Sequence, residues 1–152
     1  YEYLINDGPV WPLVRKFVYT HTWAVDLERM QEASQVLLGL NDFTAFCRPK
    51  EYGTAIRDLQ EFSWRRRDDG IIVVSVRADA FCYSMVRNLV GAVVCVADGR
   101  KDASWMSELL SNKERVSDSL VFPARGLTLY RVDYPSDGQL LERAEKTIGK
   151  RG

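Results

Sequence analysis

Ala80–Gly91 reads AFCYSMVRNLVG, an apolar stretch that carries a single arginine. Phe81, Met85, Val86, Leu89, Val90, Val93, Val94 and Ala97 recur at steps of three and four, which predicts a long helix from about Ala80 to Ala97 with one buried stripe. Arg87 lies off that stripe. Its helical neighbours three and four positions away are Tyr83, Ser84, Val90 and Gly91, so the helix itself offers it no carboxylate. On spacing alone, such a side chain lays its stem over the surface and puts its head in water. The small residues Ser84 and Gly91 beside it would equally let another backbone or a ligand approach the charge closely.

Around this helix the other elements follow from pattern and punctuation. Tyr1–Asn6 alternates as a strand, and Pro9 and Pro12 mark a loop. Asp26 is placed to cap a helix in which Leu27, Met30, Ala33, Val36 and Leu37 keep helical spacing until Gly39 stops it. Thr54–Arg66 and Ile71–Ala78 read as two strands joined through Arg67–Gly70, where Asp-Gly is a strong hairpin signal. Asp98 and Gly99 close the long helix, Ala103–Leu110 forms a shorter one, and Gly126–Tyr134 returns as a strand. The fold expected is α+β, a mostly antiparallel sheet with helices packed on one face. Residues 1–135 make one domain, followed by a polar, weakly helical, frayed tail over 136–152.

At 152 residues with 46% hydrophobic content, the chain is long enough for one domain with its own core. Basic and acidic residues both number 21, so net charge by itself does not suggest a nucleic-acid partner. Local clusters at Arg15-Lys16, Arg48-Pro49-Lys50 and Arg65-Arg66-Arg67 either form a positive surface or are separately solvated. Cys47, Cys82 and Cys95 are odd in number and widely spaced, and His21 is the sole histidine, so no disulfide framework and no metal site are expected. Leu89–Ala97, the longest apolar run, is far short of the roughly 20 residues a membrane helix needs. No signal segment opens the chain, and a soluble protein of the reducing cytoplasm is expected.

Phe81 and Met85-Val86-Arg87-Asn88-Leu89-Val90-Gly91 resemble the F-x-x-x-M-V-R-N-[IL]-V-G signature of the TruA-type tRNA pseudouridine synthases. Four further elements match in order. Tyr1–Ile5 resembles the family's Y-x-Y-x-I strand, and Leu38–Phe46 its L-G-x-x-D-F-x-[SA]-F element. Thr54–Arg57 resembles its T-x-x-R strand, and Pro123–Leu129 its P-A-x-G-L-x-L strand. One element is missing: the R-T-D-x-G-V-H motif that carries the family's catalytic aspartate upstream of Y-x-Y. Arg67-Asp68-Asp69-Gly70 and Arg57-Asp58 lack its threonine and histidine. With a first residue, Tyr1, inside an expected strand, the chain resembles the second half of such an enzyme, inactive alone.

The resemblance implies isomerisation of uridine to pseudouridine at positions 38, 39 and 40 of the tRNA anticodon stem-loop. Uracil is detached from its ribose and rejoined through carbon 5 with no cofactor. The aspartate attacks the sugar or the base, or assists a glycal route. A base inside a stem must first leave the stack, at a cost of a few kcal/mol. By resemblance, Tyr1 would stack on the extruded base, worth roughly 1–3 kcal/mol, while Tyr3 packs within its sheet. Arg87 would pair with the absent aspartate and hold it ionised; within this chain it would be an unpaired cation contributing little to folding. Leu127 would be an apolar wall beside the base, or an ordinary core leucine. Arg57 and Arg48 are candidates for phosphate contacts. Asp42, just after the Gly39 stop, suits a turn or cap rather than a nucleophile. The partners implied are tRNA, the N-terminal half of the same protein and a second copy in a homodimer, with no membrane. A non-catalytic RNA-binding module and a dimerisation domain are the alternatives, although no [KR]-G-[FY]-[GA]-F-V-x-[FY] strand is present.

Overall fold

The expected hairpin is the longest strand pair in the computed structural model, which describes residues 1–48, 53–117 and 120–148. Strands β4 (Ile56–Arg66) and β5 (Ile72–Ala78) run antiparallel from Leu59 opposite Ala78 to Arg66 opposite Ile72. Gly70 closes their turn at φ 84°, a left-handed conformation that glycine takes without steric cost.

Strand β1 (Glu2–Asn6) pairs antiparallel with β5. Its other edge is shared by two short strands: β2 (Tyr19–Thr20), parallel to it, and β6 (Leu127–Thr128), antiparallel. β3 (Gly39–Asp42) pairs antiparallel with β4, giving the order β2-β1-β5-β4-β3 with β6 beside β1. The sheet is therefore mixed by one two-residue parallel pair and antiparallel elsewhere, on an α+β plan.

Helices α1 (Leu27–Gln35) and α2 (Met85–Ala97) share one hydrophobic core with the sheet. Met30, Ala33 and Leu37 share that core with Leu59, Phe62, Trp64, Val74 and Val76, the inward residues of alternating strands. As expected, the Asp26 carboxylate caps α1 by accepting from the N–H groups of Glu28 and Arg29. Inside the core, the Trp64 indole N–H donates to Ser34 Oγ at 2.6 Å, and Ser34 Oγ donates to the Met30 carbonyl at 2.8 Å. α3 (Ser104–Asn112) follows, and α4 (Leu140–Ile148) lies in the segment read as a polar tail. Among the described residues, no helix is long and apolar enough to cross a membrane.

Several expectations need correction. α2 begins at Met85 rather than Ala80, because Ser84 takes φ 63° and interrupts the helical path. Phe81 thereby leaves the helix. α2 also lacks the single buried stripe: every residue from Met85 to Ala97 except Arg87 is buried, as in a helix covered all round. β6 spans two residues instead of Gly126–Tyr134, and Leu129, Tyr130, Val132 and Tyr134 are exposed beyond it. Cys47 and Cys82, with Cα atoms 5.6 Å apart, form a disulfide that their sequence spacing does not suggest. Pro49 and Lys50 lie outside the described residues.

Candidate functional site

Arg87 is the half-exposed position of an otherwise buried helix, and a loop from the far end of the chain meets it there. The Phe122 N–H donates to the Arg87 carbonyl at 3.3 Å, and Arg87 Nε donates to the Phe122 carbonyl at 2.5 Å. The expectation of a cation without a partner in this chain is thus corrected: a backbone carbonyl 35 residues downstream holds one of its nitrogens. Among the described residues, Arg87 makes no ion pair, so its terminal nitrogens keep their donors for another group.

Tyr1 extends the ladder of β1, its backbone N donating to the Val76 carbonyl at 3.0 Å and its carbonyl accepting from the Val76 N–H at 2.9 Å. Its half-buried ring meets Phe81 edge-on, with centroids 5.0 Å apart and planes at 85°. Both rings line an open cleft of about 790 Å³, together with Glu61, Arg77, Tyr130 and Tyr134. Arg87 and Leu127 are not among the residues lining that cleft.

Strand alternation puts Tyr3 on the same face as Tyr1. Tyr3 is wholly buried, as its sheet-packing reading requires, and its hydroxyl donates to the Pro123 carbonyl at 2.7 Å. Burial pushes its phenol well above the ordinary range. Leu127 stands opposite Tyr3 in the β1–β6 register and is half-buried. Tyr1, Leu127 and Arg87 are therefore linked through one small unit: β1, β6 and the loop between α2's contact at Phe122 and β6.

The two proposed phosphate contacts stand apart from that unit. Arg57 donates from Nη1 to the Ile56 carbonyl at 2.6 Å, and its Nε is buried without a partner among the described residues. Arg48 is exposed, its guanidinium 5.3 Å from the Tyr83 ring centre. In the triple-arginine cluster, Arg66 pairs with Asp7 at 2.8 Å and Arg67 with Asp69, which leaves less free positive charge than the sequence suggests. Asp42 has the expected turn role, accepting from the Thr44 N–H at 3.0 Å and Thr44 Oγ1 at 2.6 Å, with Lys113 at 2.7 Å. Burial would raise its carboxyl, but the bonds from Lys113 and Thr44 hold it below the usual range.

Sequence reasoning misses Phe122 and Pro123, because their contribution is through backbone carbonyls, which no side-chain pattern marks. The one available signal is Gly91, a turn after Arg87. Among the described residues, no cluster of three or more His, Cys, Asp or Glu is placed to hold a metal.

Residues 33–135 match the model of a family described as tRNA pseudouridine synthase. The chain is 43% identical over 153 residues to tRNA pseudouridine synthase A of Streptomyces avermitilis, an overlap of 99% of this chain and 54% of the relative. It is 44% identical over 146 residues to the protein of that name from Mycobacterium leprae, covering 95% and 51%. With that of Cutibacterium acnes it shares 46% identity over 142 residues, covering 92% and 51%. The chain spans about half the length of the curated relatives it matches.

Proposed function

Because this chain belongs to the tRNA pseudouridine synthase family, we propose that it forms one wall of an active site that isomerises uridine to pseudouridine in tRNA. The substrates proposed are positions 38, 39 and 40 of the anticodon stem-loop. The nucleophilic carboxylate comes from an N-terminal half of the same protein, and the chain alone is inactive. The reaction breaks the bond between N1 of uracil and C1′ of ribose and forms one from C5 to C1′. A proton leaves C5 and N1 ends protonated, so no cofactor or outside reductant is needed.

The observation that carries this reading is the state of Arg87. Its Nε is engaged by the Phe122 carbonyl, while its terminal nitrogens are left with donors and no carboxylate among the described residues. A guanidinium fixed at one nitrogen is suited to grip a carboxylate with the others and keep it ionised. Tyr1 would stack on the extruded base, and Leu127 would close the site on an apolar side. Arg57 and Arg48 would contact phosphate, for which Arg48 is the better exposed. A homodimer working in the cytoplasm on tRNA completes the proposal, with residues 1–135 as its functional domain.

Tritium release from 5-labelled uridine in the anticodon stem-loop tests it. Release at the uncatalysed background is expected from the 152-residue chain, and turnover from the protein that also carries the aspartate motif. Activity from this chain alone would overturn the assignment of the nucleophile. Salt-dependent tRNA binding without turnover in the longer protein would favour a non-catalytic RNA-binding module, and no binding a dimerisation domain.

A further inference from the structure

We propose that Gly91 and Tyr3 are positioning residues for Arg87, pinning Leu120–Pro123 against α2 so that the Phe122 carbonyl holds Nε and aims the terminal nitrogens. The proposal rests on the reading of Arg87 as the partner of a carboxylate.

Gly91 lies one turn after Arg87 on α2. A Cβ there would sit 1.7 Å from the Leu120 carbonyl oxygen and 2.9 Å from its carbon, so a methyl group cannot be added without moving the backbone. Glycine at this position is what lets the loop lie directly on the helix. Two residues on, both backbone polar groups of Phe122 are spent on Arg87: the N–H on its carbonyl and the carbonyl on its Nε. The Phe122 ring is held by aromatic neighbours, 4.5 Å from Tyr19 and 5.9 Å from Tyr3 between centroids.

Tyr3 pins the same loop from the sheet side through its hydroxyl bond to Pro123. Gly126 admits the Tyr3 ring, since a Cβ there would be 2.7 Å from two ring carbons. The loop is thus clamped between β1 and α2 on either side of Phe122. A guanidinium otherwise swings about its last side-chain torsions; with Nε bonded, the plane and direction of the fork are set before any carboxylate arrives. Small misplacements of such groups can cost up to about 100-fold in rate.

The test uses the full-length protein with ¹⁵N labelling and steady-state kinetics on anticodon stem-loop RNA. Gly91→Ala and Tyr3→Phe are compared with Arg87→Lys, which lacks Nε–H and so assigns its resonance. In the parent protein the Arg87 Nε–H is expected to be protected from solvent exchange. Gly91→Ala should speed that exchange and lower kcat roughly tenfold or more, with KM changed less than about twofold. Tyr3→Phe, which keeps the ring, should act in the same direction by a few fold and decides the matter should Gly91→Ala fail to fold. Faster exchange with unchanged kcat, or unchanged exchange in the folded variants, would overturn the positioning role alone. Full turnover from Arg87→Met would overturn it together with the carboxylate reading on which it rests.

Discussion

Arg87 and Phe122 are joined twice through the backbone of the latter, by a 3.3 Å bond from the Phe122 N–H and a 2.5 Å bond to its carbonyl. A charged residue singled out by its lack of a helical partner thus has a neutral one. The pairing fixes the guanidinium without cancelling its charge.

Arg87→Met removes the donor and leaves the Phe122 carbonyl short of a bond. Sequence alone suggests an unchanged or raised stability; the structure reverses that expectation. A loss of about 1.5 kcal/mol is expected, at the low end for bonds to charged groups because the residue is half-exposed. Urea denaturation of the isolated chain measures it. In the full-length protein the same change is expected to abolish turnover, since the proposed carboxylate would lose its charged partner.

Tyr1→Phe keeps the ring that packs on Phe81 and removes the hydroxyl. Turnover in the full-length protein is expected to fall more than tRNA affinity. Tyr1→Ala removes the stacking surface and should weaken both, by about 1–3 kcal/mol in affinity. Negligible effects from both changes would return Tyr1 to a packing role.

The Asp98 side chain, at the C-terminal end of α2, is buried between His21 Nε2 at 3.3 Å and Arg100 Nη2 at 2.7 Å. Burial would raise its carboxyl, but the Arg100 and His21 bonds outweigh burial and hold it below its ordinary value of 3.8. A depressed folded-state value means stability that is fully present above the unfolded value and lost as pH falls through the folded one. Asp98→Asn should therefore flatten the acid limb below about pH 4, and cost about 1.5–3 kcal/mol near neutrality. Urea midpoints taken across pH 2.5–7 would show both.

Ser34→Ala strands the buried Trp64 indole N–H. A loss of about 1–3 kcal/mol is expected, with a changed near-ultraviolet circular dichroism band from Trp64. Ser34→Thr, which keeps a hydroxyl, should recover part of the loss. Equal stability of all three proteins would mean that the indole finds another acceptor.

Much of this architecture is local and was open to reading in the chain. The alternation of Ile72–Ala78, the Asp26 cap, the Asp69-Gly70 turn and the apolar run after Met85 are each decided by residues close together. Motif order from Tyr1 to Leu129 likewise carried the family. Periodicity places the start of α2 too early because apolar Phe81 fits helical spacing, whereas the left-handed Ser84 backbone is not encoded in any periodicity. Alternation in Leu129–Val132 likewise resembles a strand, but the antiparallel register sets Thr128 opposite Glu2, the first residue of β1, so the strand has no β1 partner to follow beyond it.

Sequence by itself determined which residue types the proposed chemistry draws on: Tyr1, Arg87 and Leu127, with no aspartate motif among them. Tertiary structure alone decided how Arg87 is held, because its partner is a carbonyl, and every residue has a carbonyl. What selects Phe122 among them is the close approach that Gly91 permits and the anchor that Tyr3 provides, two contacts whose members lie 29 and 120 residues apart in the chain.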